Sequence, residues 1–402
     1  MKKILVINDF PIFPIIDGGR VRLFNIYKNI SKKFNVTYIC LGDTNKIEEE
    51  VISENLKLII IPKNFLYKLI STFLFILLRC PVNDFIALFL ASYNPKLKKL
   101  IIKLSLENDI IIFSHPYLYP AAIPYISNNQ IIVYEAHNVE YPLKKSMLGK
   151  GVIKSILLKR LNKIEGNLLK NCDLCFAMSE YDRIQLAHLY HINPSKIFLA
   201  PNGVNPDDYN EFFSQNNRLK ESTQKSHLIL FLGSGHPPNI IATQQIIQNI
   251  APKVPYASFI IAGGVSSGLK NEYPGRNVTI MPFVSNNEKK KLYESTYIAI
   301  NPMMSGSGTN IKMLDYMAAG IPVISTPIGA RGIDIHNNQE GIICDIDEFP
   351  YQISRLIKDK ILYNSISLNG RKLVKEKYEW KNIAYIMIEV LNNTLQQKFL
   401  IK

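Results

Sequence analysis

Short, almost uninterrupted apolar runs alternate along the chain with stretches in which apolar positions recur every three or four residues. In the first half the runs are Ile4–Ile7, Asn35–Leu41, Leu58–Ile61, Asp109–Ser114, Ile131–Glu135, Asp173–Met178 and Lys196–Ala200. In the second they are Leu228–Gly233, Ser258–Ala262, Val278–Met281, Ile298–Asn301, Pro322–Ser325 and Gly341–Cys344. A half-wet strand alternates apolar with polar residues. Runs without alternation predict strands covered on both faces, as in a parallel sheet. Between them the spacing predicts helices, such as 21–32, where Leu23, Ile26, Tyr27 and Ile30 share one face. Trp380 to Leu395 reads as a closing helix with Ile383, Met387, Val390 and Leu391 on one side. Two βαβ series predict an α/β protein of two doubly wound domains. The polar, aperiodic stretch from Asn205 to Lys225 puts the boundary there or just before it, giving residues 1–203, 204–379 and a final segment 380–402.

Composition narrows the class without changing that outline. The chain has 402 residues, 47% of them hydrophobic, which excludes a disordered protein and leaves ample core for each domain. Five cysteines (Cys40, Cys80, Cys172, Cys175 and Cys344) are too few and odd in number for a disulfide framework, and fit a reducing compartment. Cys172 and Cys175 form an isolated pair that reads as packing. No His, Cys or carboxylate cluster has metal-ligand spacing, so no metal is expected. Ile4–Ile7 runs at once into Asn8 and Asp9 and reads as a first strand, not a secretory signal. The longest largely apolar run, Leu69 to Leu78, is about half of the roughly 20 residues a spanning helix needs. A cytoplasmic protein is expected, with peripheral placement on a membrane as the open alternative.

Charge raises that alternative. The formal net charge is +14, and residues 1–200 hold 26 Lys+Arg against 16 Asp+Glu. The excess gathers at Lys96, Lys98, Lys99 and Lys103, and at Lys144, Lys145, Lys150, Lys154, Lys159, Arg160 and Lys163. Such an excess serves anionic lipid, nucleic acid or an anionic substrate, or is simply a set of solvated helix faces. No aromatic residues are interleaved as a stacking module, so nucleic acid is not expected as a partner. Leu66–Leu90 reads either as an interfacial helix or as a helix packed on the sheet.

Ligands of open α/β sheets bind beyond the carboxyl ends of strands. After the first strand, Asp17, Gly18, Gly19 and Arg20 lead into a helix: adjacent glycines admit close backbone approach, and the helix start offers N–H groups to an anion. Arg20 and Arg22 add positive charge. The richest segment runs from Asn301 to Gly332. Its small-residue loop, Ser305-Gly306-Ser307-Gly308, precedes a helix that Thr309 or Asn310 is placed to cap, with Lys312 and Asp315 in its opening turns. A diphosphate would meet backbone donors, the helix dipole and the Lys312 ammonium together, while Asp315 would accept from a vicinal diol such as a ribose. An ordinary capped helix with a surface ion pair is the plainer alternative. No Gly-Lys-Ser/Thr follows the glycines, and Gly263, Gly264 and Gly268 are not spaced as GxGxxG, so neither a P-loop nor a dinucleotide site is expected. His115 and His137, the latter close to Glu140, end successive strands and are candidate cleft groups.

DGGRVR after the first strand, EAHNVE, PNGV at Pro201–Val204, FLGSGHPPN at Phe231–Asn239 and GSGTNIKMLDYMAAGIPVISTPIGARG are together similar to family 4 glycosyltransferases, from Met1 to about Trp380. The resemblance implies a GT-B fold: two facing Rossmann-like domains, the second binding a nucleotide-sugar, and a final helix crossing back. It implies retaining sugar transfer from a UDP- or GDP-sugar, without metal or other cofactor. The acceptor it suggests is a glycan or lipid-linked glycan of bacterial cell-surface polysaccharide or lipopolysaccharide, at an anionic inner-membrane surface. By position, Gly18 and Gly19 match the loop approaching the donor phosphates, His115 the histidine beside the transferred sugar, and His137 a second cleft histidine. Gly308, Thr309, Asn310 and Lys312 match the phosphate-contacting turn. Asp315 falls at the second glutamate of a Glu-x7-Glu pattern, and Ser307 replaces the first. Where many members carry an Arg and a Lys after the strand ending at Gly233, this chain has Ser234 and Pro-Pro-Asn, leaving diphosphate charge to Lys312, with Arg331 beside it. A GT-B nucleotide-sugar epimerase or a non-catalytic nucleotide-sugar-binding protein is the alternative reading.

Overall fold

The computed structural model describes residues 1–15, 17–78, 83–213, 227–269, 275–282, 284–306 and 308–400. The chain divides into two units, Met1–Pro201 with Ile383–Lys402, and Asn202–Asn382. Each is built on a sheet whose strands are the apolar runs of the sequence.

The first sheet comprises β1 (Lys3–Asn8), β2 (Asn35–Gly42), β3 (Glu48–Ser53), β4 (Leu56–Pro62), β5 (Ile110–Phe113), β6 (Ile131–Ala136), β7 (Leu174–Ala177) and β8 (Ile197–Leu199). Its order is β3-β4-β2-β1-β5-β6-β7-β8. All pairings are parallel except that of β3 with β4. That edge strand is absent from the predicted runs because its sequence, EEEVIS, has no buried face. Three glutamates on an edge discourage pairing with another chain. The second sheet comprises β9 (His227–Leu232), β10 (Ala257–Ala262), β11 (Val278–Met281), β12 (Ile298–Asn301), β13 (Val323–Ser325) and β14 (Ile342–Ile343). Its order is β11-β10-β9-β12-β13-β14, parallel throughout.

Both orders place a candidate site. In the first sheet the chain builds outward from β1 and then returns to the other side of β1 as β5; in the second the same reversal separates β9 from β12. At such a switch point the loops leaving two neighbouring strands diverge, and a crevice opens between them.

Leu66–Leu90 carries two helices among the described residues. The helix Asn83–Leu90 buries Phe85, Ile86, Ala87 and Leu88. The helix Phe65–Leu78 buries Tyr67 and rests Ile70, Leu74 and Leu78 against the core, while its other apolar residues face outward. The closing helix is Trp380–Leu400, with Trp380, Ile383, Met387 and Leu391 buried. The stretch expected to carry the boundary begins with described residues up to 213; the rest of it lies outside the described residues, as do Arg79 and Cys80. Among the described residues no helix is long and apolar enough to cross a membrane.

Candidate active site

At the first switch point, Asn8 ends β1 and donates from its amide to the Tyr38 hydroxyl at 2.7 Å. Its Oδ1 lies 3.0 Å from Nδ1 of His115, the second residue after β5. That nitrogen also meets the Ser114 carbonyl. Both partners accept, so Nδ1 carries the proton and Nε2 keeps its lone pair, 3.9 Å from Glu140 Oε1. Burial and the neighbouring His137 pull the His115 pKa down to about 4, which leaves the ring neutral near pH 7. The His115 backbone has φ of 107°, a left-handed conformation that a non-glycine residue adopts at a cost. The surroundings hold it there: Phe10 and Tyr117 flank the ring at 5.5 and 5.9 Å, and His137 lies 4.3 Å away. Tyr117 in turn donates its hydroxyl to Glu140, the first residue of the helix Glu140–Leu148.

The loop from β1 lies against this cluster. Gly18 and Gly19 open the helix Gly18–Ile30, capped by Asp17, which accepts from the Arg20 amide at 2.9 Å. The Arg20 side chain pairs with Asp17, donates to the Pro11 carbonyl and sits 5.1 Å over Phe10, so it braces the loop. Arg22, expected to add charge to the cleft, turns inward instead. It is 1% exposed, 3.2 Å from Glu135 and 2.7 Å from the Pro201 carbonyl. Its place on the helix explains this, one residue before Leu23 on the face that meets the sheet. His137 is buried too; its Nε2 lies 2.9 Å from Ser114 Oγ, which donates to Glu135.

Glu165, like Asn8 and Glu135, is not foreseen in the sequence. It is fully buried on the helix Val152–Asn171 and accepts from the Tyr134 and Tyr190 hydroxyls and from the backbone N–H groups of Glu140 and Tyr141. Those two N–H groups belong to the helix start that carries Glu140, so Glu165 fixes where Glu140 stands. Its position on the apolar stripe of Leu161, Ile164 and Leu168 was the available signal. Burial, and then the charge of Glu140, push its pKa up to about 7. A raised carboxyl pKa contributes stability that is full below the unfolded value near 4.5 and is lost as pH rises to about 7. We expect the melting-temperature difference between wild type and Glu165→Gln to move against the wild type across that window and to stay flat above it.

At the second switch point, Lys312 stands in the first turn of the helix Ile311–Ala318 and reaches across to β9. Its Nζ donates to the Leu232 carbonyl and to Asn239 Oδ1, both at 3.0 Å, and lies 4.2 Å from the centre of the Phe231 ring. Among the described residues no carboxylate pairs with it, and burial alone pulls its pKa down to about 7. The glycine loop before the helix is held from outside: Arg331 donates to the Gly306 carbonyl at 2.7 Å, and Gly306 and Gly308 have φ of 122° and 70°. Ser307 lies outside the described residues. Asn310 is the N-cap residue, but its amide donates to the Gly329 carbonyl at 2.9 Å and no side chain caps the helix. The expected cap by Thr309 or Asn310 is therefore not made; the Met313 N–H bonds the Asn310 carbonyl at 2.9 Å, and the earlier N–H groups of the turn, those of Ile311 and Lys312, have no side-chain cap and face the side where an anion would sit. Asp315 does not pair with Lys312. Its carboxylate accepts from Tyr209 at 2.8 Å and Lys289 at 2.9 Å, with Tyr293 at 3.4 Å.

A family model described as Glycosyltransferase Family 4 matches residues 16–208, and one described as Glycosyl transferases group 1 matches residues 226–359, together about four-fifths of the chain. The chain belongs to the family 4 glycosyltransferases. This glycosyltransferase is 27% identical over 169 residues to an uncharacterized 44.6 kDa protein in the cps region of Klebsiella pneumoniae, covering 39% of this chain and 43% of that one. It is 25% identical over 231 residues to an uncharacterized glycosyltransferase of Methanocaldococcus jannaschii, covering 51% and 56%. The matches span about half the length of these curated relatives. Among solved structures, sucrose-phosphate synthase from Thermosynechococcus elongatus superposes with a TM-score of 0.71 at 14% identity, over 99% of this chain and 100% of that one. Anabaena HepE in complex with UDP and glucose gives 0.66 at 13%, over 98% and 100%. These likenesses show that the glycosyltransferase has the GT-B fold.

Proposed function

We propose that this glycosyltransferase moves a sugar, with retention of anomeric configuration, from a nucleoside-diphosphate sugar to a glycan or lipid-linked acceptor. The pathway we assign is bacterial cell-surface polysaccharide, lipopolysaccharide or glycoconjugate synthesis, carried out peripherally at the inner membrane. The observation that carries the reading is Lys312: a half-buried amine with no carboxylate partner among the described residues, beside an uncapped helix start and a glycine loop, at a topological switch point. A cation so placed asks for an anion, and a diphosphate fits donors that come from one side chain and a helix terminus. HepE was solved with UDP and with UDP-glucose, and the Klebsiella relative is encoded in a cps region, which supports a nucleotide-sugar and a surface-polysaccharide role here.

In this reading Lys312, Gly308, Thr309 and Asn310 form the diphosphate cradle, and Arg331 holds the loop in place. Ser307, outside the described residues, is assigned to the donor with them. Asp315, on its bed of tyrosines, meets the ribose, for which Lys289 must yield. In the first unit Gly18 and Gly19 serve the donor phosphates, and His137 and Glu140 complete the cluster around His115. The neutral His115 Nε2 is left to accept from one sugar hydroxyl, and Glu140 Oε1, 3.9 Å away, to accept from a second. The acceptor oxygen attacks the anomeric carbon on the face from which the diphosphate departs; the C–O bond to phosphate breaks, and the acceptor proton passes to the leaving phosphate oxygen. Catalysis is then positioning and leaving-group electrostatics.

Thermal unfolding against UDP, GDP, ADP, CMP and their sugar conjugates tests the donor site. A ligand at about 100 times its dissociation constant adds roughly 2.7 kcal/mol. We expect a shift selective for one base and lost in Lys312→Ala. No shift with any nucleotide overturns the donor site, an inverted anomer in the product overturns retention, and donor isomerised without acceptor overturns transfer in favour of epimerisation.

A further inference from the structure

The helix Phe65–Leu78 has an outward face as apolar as its inward one. Tyr67, Ile70, Leu74 and Leu78 meet the core at helical spacing. Phe65, Leu66, Leu69, Phe73, Phe75, Ile76 and Leu77 do not, and Phe65, Phe73 and Ile76 are 80%, 63% and 70% exposed. A surface helix ordinarily turns polar residues to water, so a face like this one has a partner. It is not isolated. The helix packs on Asn83–Leu90, which packs on the helix Val152–Asn171, with Arg160 over the Phe89 ring. Where that third helix begins, Met147, Val152, Ile153 and Ile156 are exposed as well.

Charge selects the partner. Residues 141–164 contain seven Lys and Arg and no Asp or Glu, and residues 55–83 contain no acidic residue either. Between the helices Glu140–Leu148 and Val152–Asn171 lies an open cavity of about 340 Å³, lined by Tyr141, Lys145, Lys150, Ser155 and Lys159 among others. Among the described residues none of its three lysines is paired with a carboxylate. Gly151, at the N-cap of Val152–Asn171, has no side chain with which to cap it. Exposed apolar side chains bordered by unpaired cations match the depth profile of an anionic bilayer, with hydrocarbon behind and phosphate in front. A second copy of the chain would bring the same cations to the same place.

We infer that this face seats the protein on an anionic bilayer: the outward residues of Phe65–Leu78, with Val152, Ile153 and Ile156, enter the interface, and lipid phosphate occupies the cavity of Lys145, Lys150 and Lys159. This deepens the membrane element of the proposed function and uses residues remote in sequence from those assigned to the donor.

Flotation of the full chain with phosphatidylcholine vesicles, with and without phosphatidylglycerol, tests it. Binding is expected to require phosphatidylglycerol and to weaken with added salt. Lys150→Ala with Lys159→Ala should lower it about thirtyfold, from roughly a factor of five per basic residue. Phe73→Ser with Ile76→Ser should lower it about a hundredfold, at low salt as well. The nucleotide-induced thermal shift is kept in both double variants, which shows that they fold. A wild type that gives the shift but ignores phosphatidylglycerol overturns the bilayer seat alone, whereas vesicle binding without any shift overturns the donor reading alone. Concentration-dependent dimers in sedimentation, abolished by Phe73→Ser with Ile76→Ser, would give the face to a second copy and overturn the inference.

Discussion

Lys312→Ala is expected to lower turnover by about 100- to 1000-fold, the range found when one preorganised donor to developing negative charge is removed. The environment of the amine makes the effect large. It donates to a carbonyl, an amide oxygen and the Met303 sulfur, and its neighbour is an aromatic face, so among the described residues no carboxylate balances the charge before a diphosphate does. The same arrangement gives a pH signature. The amine titrates near 7 in the free protein, and a bound diphosphate holds the proton on. Donor binding therefore takes up a proton above that pH. Affinity for the nucleotide-sugar, whose phosphates stay ionised throughout, should be flat below pH 7 and fall by up to about tenfold per unit above it. Lys312→Arg should flatten the slope. Titration calorimetry of the donor across pH checks both, and an affinity independent of pH in the wild type would remove Lys312 from the diphosphate.

Much of this architecture is legible in the sequence because a doubly wound sheet leaves the clearest trace an element can leave: strands such as Ile4–Ile7 and Leu228–Leu232 with no polar position inside them. Glu48–Ser53 left no such trace, since an edge strand without a buried face is held only by its ladder to β4 and reads as a charged loop. The glycine loop, Lys312 and the two strand-end histidines were legible as chemistry, because local order puts them at strand ends. Their partners were not. Asn8 meets His115 across 107 positions and Lys312 meets Asn239 across 73, and both contacts exist only because the sheets reverse between β1 and β5 and between β9 and β12. Asp315 shows the limit most clearly: spacing offers it Lys312 three residues away, but Tyr209 and Lys289, distant in sequence, take its oxygens. Helical proximity is worth a few tenths of a kcal/mol, and tertiary packing overrides it.

Arg22→Ala should destabilise the first unit by roughly 3–5 kcal/mol, because it leaves the Glu135 carboxylate buried without its cation. For a unit of this size that is a fall in melting temperature on the order of 10 °C. Arg22 and Glu135 are both buried, and the carboxylate also takes the Tyr27 hydroxyl at 2.6 Å and the Ser114 hydroxyl at 2.9 Å. Burial alone would raise its pKa, but His137, Arg22 and Tyr27 outweigh it and hold the group well below the usual carboxylate range. A depressed carboxyl pKa contributes stability that is present above the unfolded value near 4.5 and lost as pH falls. The deficit of Arg22→Ala should therefore shrink below about pH 4.5, where Glu135 can take a proton in place of the missing guanidinium. Pairing Arg22→Met with Glu135→Gln should recover more than half of the loss at neutral pH, since the damage lies in the orphaned charge and not in the missing volume. Denaturant unfolding of the wild type and the two variants at pH 4 and pH 7 decides it. If the double variant is as unstable as Arg22→Ala at both pH values, the pair is packing rather than electrostatics. The consequence reaches the site, because Glu135 fixes Ser114, Ser114 fixes His137, and His137 is the ring against which the strained His115 is held.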